Sequence, residues 1–127
     1  ELFAIPDYTL GRLNAVNAWL GTSGTVTNLH TDESHNLLTQ VAGFKYVRMY
    51  AVSEDMYLYP EVKSGNTTTN RFSPIRIDSP DFEKYPLFAQ AKYTEVILGP
   101  GDMLYMPKGI WHYVRSLSTS FSINFWF

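Results

Sequence analysis

The chain has 127 residues, which is enough for one domain with its own hydrophobic core. A net charge of −2 at pH 7 gives no broad basic surface for nucleic acid, and the absence of cysteine excludes disulfides and thiolate metal ligands. No apolar run approaches the roughly 20 residues of a membrane-spanning helix, so we expect neither nucleic acid nor a membrane as partner.

Eight short segments are predicted to be strands, because they combine apolar alternation with flanking turn residues. In chain order they cover residues 14–20, 25–30, 36–41, 45–52, 93–98, 103–106, 111–117 and 120–127. Gly43 predicts a hairpin between the third and fourth strands. The insert, residues 53–92, is predicted to hold one helical turn within 53–60, a solvated loop over 61–70 and a short helix within 80–88. Many short strands without a long helix are typical of a sandwich or barrel.

The last predicted strand has two different faces, because alternate residues of a strand point to opposite sides. Its apolar face carries Phe121, Ile123, Phe125 and Phe127, and its other face carries Ser120, Ser122, Asn124 and Trp126. The second face is compatible with the lining of an internal cavity and equally with an ordinary solvated surface.

A candidate metal site begins with His30 and Asp32, two residues apart at the exit of the second strand. In an extended segment their side chains point the same way, so a nitrogen and a carboxylate oxygen reach one point. His112, far downstream, is the candidate third ligand. Two histidines and one carboxylate on one side of a metal suit non-haem Fe(II) oxygen chemistry. Alone, a His-x-Asp sequence is more often a surface pair.

Lys45 opens the fourth strand on the same face as Val47 and Met49. A lysine on an apolar face is costly to bury unless an anion pairs with it. The alternative is a strand-end lysine whose ammonium group reaches water.

The segment from Gly101 to His112, with Pro107 and Gly109 between them, resembles the second cupin motif, Gly-x5-Pro-x-Gly-x2-His-x3-Asn. Ser116 stands at the place of its asparagine. Together with His30-x-Asp32, the chain resembles the Jumonji-C (JmjC) branch of the cupin superfamily, closest to the JmjC-domain protein five group. The likeness runs from Ile5-Pro6-Asp7-Tyr8 through Asn17-Ala18-Trp19-Leu20-Gly21 to Ser120-Phe121-Ser122-Ile123-Asn124-Phe125-Trp126.

The resemblance implies an all-β double-stranded β-helix, the cupin jelly roll, over residues 1–127, with the insert outside it. We expect the chain to be the catalytic core of a longer protein, since it starts without methionine and strands that precede this core in the family have no counterpart. A family tyrosine that contacts the cosubstrate is likewise absent. By resemblance we expect an intracellular protein, nuclear or cytoplasmic, and the oligomeric state is left open.

The resemblance also assigns roles to site residues. It implies Fe(II) bound by His30, Asp32 and His112, with Lys45 on the distal carboxylate of 2-oxoglutarate and O2 as the further substrate. Further cosubstrate or pocket-wall positions are Thr27, Asn36, Trp19, Asn124 and Trp126. Thr27 poses a difficulty, because simple alternation puts it and His30 on opposite faces. Either the strand is bulged or the assignment of Thr27 is wrong.

The implied function is an Fe(II)- and 2-oxoglutarate-dependent oxygenase that hydroxylates a protein or peptide side chain, with arginine favoured. The alternative within the family is a histone N-methyl-lysine demethylase, for which Tyr57, Tyr59, Tyr85 and Tyr113 are candidates for an aromatic cage. From other classes, a non-catalytic cupin binding domain and a cupin enzyme with three or more histidine ligands remain as alternatives.

Overall fold

A computed structural model describes residues 13–62 and 71–127. They form two facing antiparallel sheets. The four-stranded sheet has the order β1-β10-β3-β8, and it is built from Ala15–Gly21 (β1), Asn36–Ala42 (β3), Met103–Met106 (β8) and Ser120–Trp126 (β10). The six-stranded sheet has the order β5-β6-β2-β9-β4-β7. Its strands are Val26–Thr31 (β2), Lys45–Tyr50 (β4), Glu61–Val62 (β5), Arg71–Phe72 (β6), Thr94–Leu98 (β7) and Trp111–Ser116 (β9).

All eight predicted strands are present, and the predicted jelly-roll fold is confirmed. The two sheets enclose an apolar layer in which Leu38 and Met106 from one sheet pack with Val47 and Leu98 from the other. The apolar face of β10 points away from this layer, where Ile123 and Phe125 pack with Leu37. The serine and asparagine face of β10 therefore lies between the sheets, as a cavity lining requires.

The insert covers the outer side of the six-stranded sheet. Leu58, Ile75 and Phe88 from the insert pack with Leu29 and Trp111 from the sheet. The predicted helical turn is confirmed as α1 (Asp55–Leu58). The predicted second helix begins later than expected, as a 3-10 helix over Pro86–Gln90.

Two predictions about connections differ from the structure. The predicted loop 61–70 begins with β5, which pairs with β6, so the insert adds two short strands to the sheet; residues 63–70 lie outside the described part. The predicted hairpin between β3 and β4 is wrong, because β3 pairs with β10 and β8 whereas β4 pairs with β9 and β7. Gly43 carries the chain from one sheet to the other. The alternation of apolar and polar residues predicts which face of a strand is buried. The same alternation is found whether the next connection is a hairpin or a crossing to the other sheet, so it does not distinguish the two.

We expect Gly43→Ala to destabilise the fold strongly. Gly43 has a φ of +70°, and a Cβ there would lie 2.1 Å from the carbonyl oxygen of Thr119. The variant therefore combines left-handed backbone strain with a collision against backbone, for an expected loss of about 3 kcal/mol in urea unfolding. Gly24→Ala is the matched control, because Gly24 has a φ of +85° and no atom within 4 Å of such a Cβ. Equal losses in the two variants would contradict the role of the collision.

Candidate metal centre and ligand cavity

The three candidate metal ligands converge on one point between the sheets. His30 on β2 and His112 on β9 are directly opposite in register on adjacent strands. Asp32 lies just beyond the end of β2, and its carbonyl oxygen accepts a hydrogen bond from the Gly109 amide at 2.9 Å. That bond ties the exit of β2 to the turn before β9, so Pro107 and Gly109 fix the position of Asp32 as well as that of His112.

The distances between ligand atoms fit one shared ion. The Nε2 atoms of His30 and His112 lie 3.5 Å from Oδ1 and Oδ2 of Asp32, respectively. One ligand atom from each of the three residues lies within 4.8 Å of the others. Ligand atoms at about 2.1 Å from a metal in octahedral geometry are about 3 Å apart. A small inward shift of the three side chains would therefore bring their ligand atoms to these distances.

The backbone holds both imidazoles in the orientation that metal binding requires. Nδ1 of His30 lies 2.8 Å from the carbonyl oxygen of Asn28, and Nδ1 of His112 lies 3.2 Å from that of Ile110. A carbonyl accepts and cannot donate, so Nδ1 carries the proton in each ring. Each Nε2 is then directed at the shared point, where it can offer its lone pair once it is unprotonated, as in metal-ligating histidines whose other nitrogen is anchored.

A β-bulge in β2 resolves the difficulty with Thr27. Thr27 is opposite Val114 and His30 is opposite His112, so two residues of β2 stand opposite the single residue between them on β9. The extra residue shifts the alternation. Thr27 and His30 consequently both line the cavity, in keeping with the proposed place of Thr27 beside the cosubstrate.

The charge state of the site differs between its two histidines. Burial lowers the pKa of His112 to about 4, and the neighbouring His30 adds to this effect. Burial also opposes protonation of His30, but the hydrogen bond and charge of Asp32 outweigh it and raise the pKa of His30. Burial disfavours the charged form of Asp32, yet its hydrogen bond with His30 and the two histidine charges lower its pKa. Near pH 6 the site therefore holds Asp32 ionised, His112 neutral and His30 largely protonated.

This asymmetry predicts how metal binding depends on pH. A metal binds neutral imidazole, so it must displace the proton from His30 but none from His112. Between about pH 5 and the ordinary histidine pKa of 6.5, the apparent affinity for Zn(II) should rise about tenfold per pH unit, the slope for one released proton. Isothermal titration calorimetry in buffers of different ionisation enthalpy measures that proton count. A value of two protons would contradict the low pKa of His112.

The cavity beside the metal ligands has a volume of about 270 Å³, close to the lower end of small-molecule sites, about 300 Å³. Lys45 lines it with only 7% of its surface exposed, and burial lowers its pKa. Among the described residues the Lys45 ammonium group has no carboxylate partner and no hydrogen bond. A buried cation without an anion is unfavourable in the free protein, and an acidic ligand in the cavity removes that penalty.

The remaining predicted site residues also lie on this cavity. Trp19 on β1 is at its mouth, with 48% of its surface exposed. Asn36, Asn124 and Trp126 line the wall formed by the four-stranded sheet. The Asn36 and Asn124 side-chain oxygens and the Trp126 indole nitrogen are buried and have no hydrogen-bond partner in the described part of the chain. Such groups are costly unless a ligand pairs with them, so these two acceptors and one donor fit a small polar molecule.

Sequence reasoning missed Asn17. It is directly opposite Asn124 in the β1–β10 register, and its buried Nδ2 also lacks a partner within the described residues. Asn17 is two residues before Trp19, so strand alternation places both on the same face. The two-residue spacing between Asn17 and Trp19 was the feature of the sequence that could have indicated Asn17.

His35 does not join the metal ligands. Its ring stacks on Tyr105 and Phe127, and its Nδ1 lies 2.7 Å from the Tyr105 hydroxyl. The ligand cluster found among the described residues contains His30, Asp32 and His112 without it. A fourth protein ligand is thus not supplied from this loop.

Two facing antiparallel sheets with a two-histidine, one-carboxylate cluster between them are the arrangement of a cupin with a candidate metal site. Comparisons with known proteins agree. The family described as "Cupin-like domain" matches residues 3–127. "Lysine-specific demethylase 8" of Xenopus tropicalis is 44% identical over 99% of the chain, and "Jumonji C domain-containing protein 5" of Drosophila melanogaster is 42% identical over 99%. The chain belongs to the cupin-like family, within its JmjC group, which confirms the resemblance.

The chain spans only 29% and 32% of the length of these two relatives. Among solved structures, "X-Ray structure of E. coli ycfD" superposes with a TM-score of 0.60 over 97% of this chain and 27% of its own, at 17% identity. That likeness concerns the fold alone. No helix within residues 13–62 and 71–127 is long and apolar enough to cross a membrane.

Proposed function

We propose that the chain is the core of an Fe(II)- and 2-oxoglutarate-dependent oxygenase acting on a protein side chain. The observation that carries the proposal is the placement of Lys45, a buried cation without a partner among residues 13–62 and 71–127, in the same cavity as His30, Asp32 and His112. A metal cluster alone serves many reactions. A metal cluster with a buried, unpaired cation suits a chelating acid with a second carboxylate at its far end.

His30, Asp32 and His112 would hold Fe(II) on one side and leave its other coordination positions open. With the metal and cosubstrate bound, 2-oxoglutarate and O2 become succinate and CO2, and the second oxygen atom of O2 enters a substrate C–H bond. The chain's own residues bind and orient the reactants. Lys45 and Thr27 would hold the distal carboxylate, and Asn36 would lie near the metal-binding end. Trp126 would form a pocket wall, and Trp19 would border the opening through which a substrate side chain arrives.

We favour hydroxylation of arginine over demethylation of lysine. A methyl-ammonium group would want an aromatic or oxygen-lined cage at the mouth of the cavity, and the tyrosines were the candidates for the aromatic kind. Three of the four tyrosines considered for this role lie elsewhere: Tyr113 is in the core cluster beneath the insert, with Tyr59 and Tyr85 packed against it. None of the four lines the cavity. The half-exposed indole of Trp19 offers a face on which a guanidinium stacks, and this supports an arginine substrate.

Demethylation stays the second candidate, because relatives at 42–44% identity carry the name lysine-specific demethylase. The two functions separate by product. The chain, loaded anaerobically with Fe(II) and then given 2-oxoglutarate and O2, is offered arginine peptides and N-methyl-lysine peptides in parallel. Mass spectrometry should show one added oxygen on arginine. Release of formaldehyde from methyl-lysine peptides alone would reverse the preference, and absence of succinate with every peptide would refute oxygenase activity of the chain.

A further inference from the structure

Ser116 lies beside Lys45 on the cavity wall that the six-stranded sheet forms, and this part of the wall is called the cavity floor. Lys45 on β4 and Ser116 on β9 are directly opposite in register, and both line the cavity. Side chains directly opposite on adjacent strands have Cβ atoms about 5 Å apart, so one small ligand group can touch both. Ser116 is 3% exposed, hence its hydroxyl is available to the cavity and not to bulk solvent.

Ser116 is held from behind by another serine. Its Oγ lies 3.1 Å from Oγ of Ser120, which is 1% exposed and does not line the cavity. A hydroxyl has one proton and two lone pairs. When Ser120 donates to Ser116, the proton of Ser116 is free to point at a ligand. In that arrangement the pair presents one oriented donor to the cavity.

The backbone around Ser116 keeps this donor in place and the floor open. The Ser116 amide donates to the Thr25 carbonyl at 2.9 Å, and its carbonyl accepts from the Gly24 amide at 2.8 Å. On the other side, a Cβ at Gly21 would lie 3.2 Å from Oγ of Ser116. Glycine at position 21 thus leaves the hydroxyl uncrowded.

We propose that Ser116, oriented by Ser120, is a further anchor for the distal carboxylate of the dicarboxylate cosubstrate, beside Lys45 and Thr27. The inference rests on the proposed function and adds a specificity-determining residue to it. A carboxylate has about four acceptor sites, and a lysine with one threonine leaves some of them unmet. Ser116 stands at the asparagine position of the second cupin motif, where a shorter side chain leaves room for a ligand carboxylate.

The test compares two 2-oxo acids that differ in the distal carboxylate. Binding of 2-oxoglutarate and of pyruvate is measured by tryptophan fluorescence on Zn(II)-loaded protein, which cannot turn over. In Ser116→Ala we expect 2-oxoglutarate to bind about tenfold more weakly, the loss of one charge-assisted hydrogen bond. Pyruvate affinity should stay unchanged, because pyruvate has no carboxylate at the floor. Ser53→Ala, at an exposed serine, is the matched control and should alter neither.

Removing Ser116 alone leaves the Ser120 hydroxyl buried without a partner, which costs stability. The double variant Ser116→Ala, Ser120→Ala removes both groups and should fold normally by thermal melting, yet keep the tenfold loss for 2-oxoglutarate. Equal losses for both acids, or unchanged 2-oxoglutarate binding in both variants, would overturn the inference. If the wild-type chain binds Zn(II) but not 2-oxoglutarate, the proposed function itself fails.

Discussion

Asp32→Ala is expected to lower the affinity of the chain for divalent metal by at least about 100-fold, more than the loss of a supporting group outside the ligand set usually costs. Asp32 supplies the carboxylate of the cluster, and its two oxygens lie 3.5 Å from the two histidine nitrogens. Without it, the imidazole rings, 4.2 Å apart, have no negative charge between them. Calorimetric titration with Mn(II) measures the loss, and anaerobic Fe(II) loading followed by turnover gives a second measure.

Two further variants define what the Asp32 result means. Asp32→Asn keeps the shape and one oxygen but removes the charge, so it should retain part of the metal affinity and little activity. Glu83→Ala removes an exposed carboxylate of the insert and should change nothing. Stoichiometric, tight metal binding by Asp32→Ala would mean that the cluster around His30 and His112 is not the metal site.

The convergence of the candidate metal ligands was predictable because each half-site is local in sequence. His30 and Asp32 are two residues apart, and the turn residues Pro107 and Gly109 set the start of β9 just before His112. Alternation then gives the face of each side chain. What brings the halves together is the pairing of β2 with β9, which was not predicted from the sequence, since a spacing of 82 residues carries no register.

Other features required three-dimensional context. The bulge between Thr27 and His30 depends on how β2 meets β9, and nothing in the segment Thr27-Asn28-Leu29-His30 marks it as a bulge. Gly43 correctly signalled a sharp change of direction, but its partner strands are chosen by packing between the sheets. The buried, unpartnered amide of Asn17 became visible only with its position opposite Asn124 in the β1–β10 register.

The strands β5 and β6 were missed for a different reason. Each has only two residues, which is too short for an alternating pattern to be recognised in the sequence. They are held by their neighbours, with Phe72 opposite His30 and the Ser73 amide donating to the Leu29 carbonyl at 2.9 Å. Tertiary contacts create these strands, so local sequence preference cannot predict them.

Lys45→Ala is expected to weaken 2-oxoglutarate binding at least about 30-fold, the lower end of what removal of one partner from a buried charge pair costs. Lys45 is 7% exposed as a whole residue, and its ammonium group has no anion among the described residues, so the distal carboxylate of the cosubstrate is its natural partner. Metal affinity should not change, because Lys45 is not part of the ligand cluster. Fluorescence titration of the Zn(II)-loaded variant with 2-oxoglutarate measures the effect.

Stability gives the Lys45 prediction an independent check. Because burial of the unpaired charge is unfavourable, Lys45→Met should raise the melting temperature of the ligand-free chain while abolishing the rise that 2-oxoglutarate produces in the wild type. Lys45→Arg should not restore cosubstrate affinity, since the planar guanidinium needs different room. Lys92→Ala, at an exposed lysine, is the control for loss of charge. Wild-type affinity for 2-oxoglutarate in Lys45→Ala would remove Lys45 from the binding site.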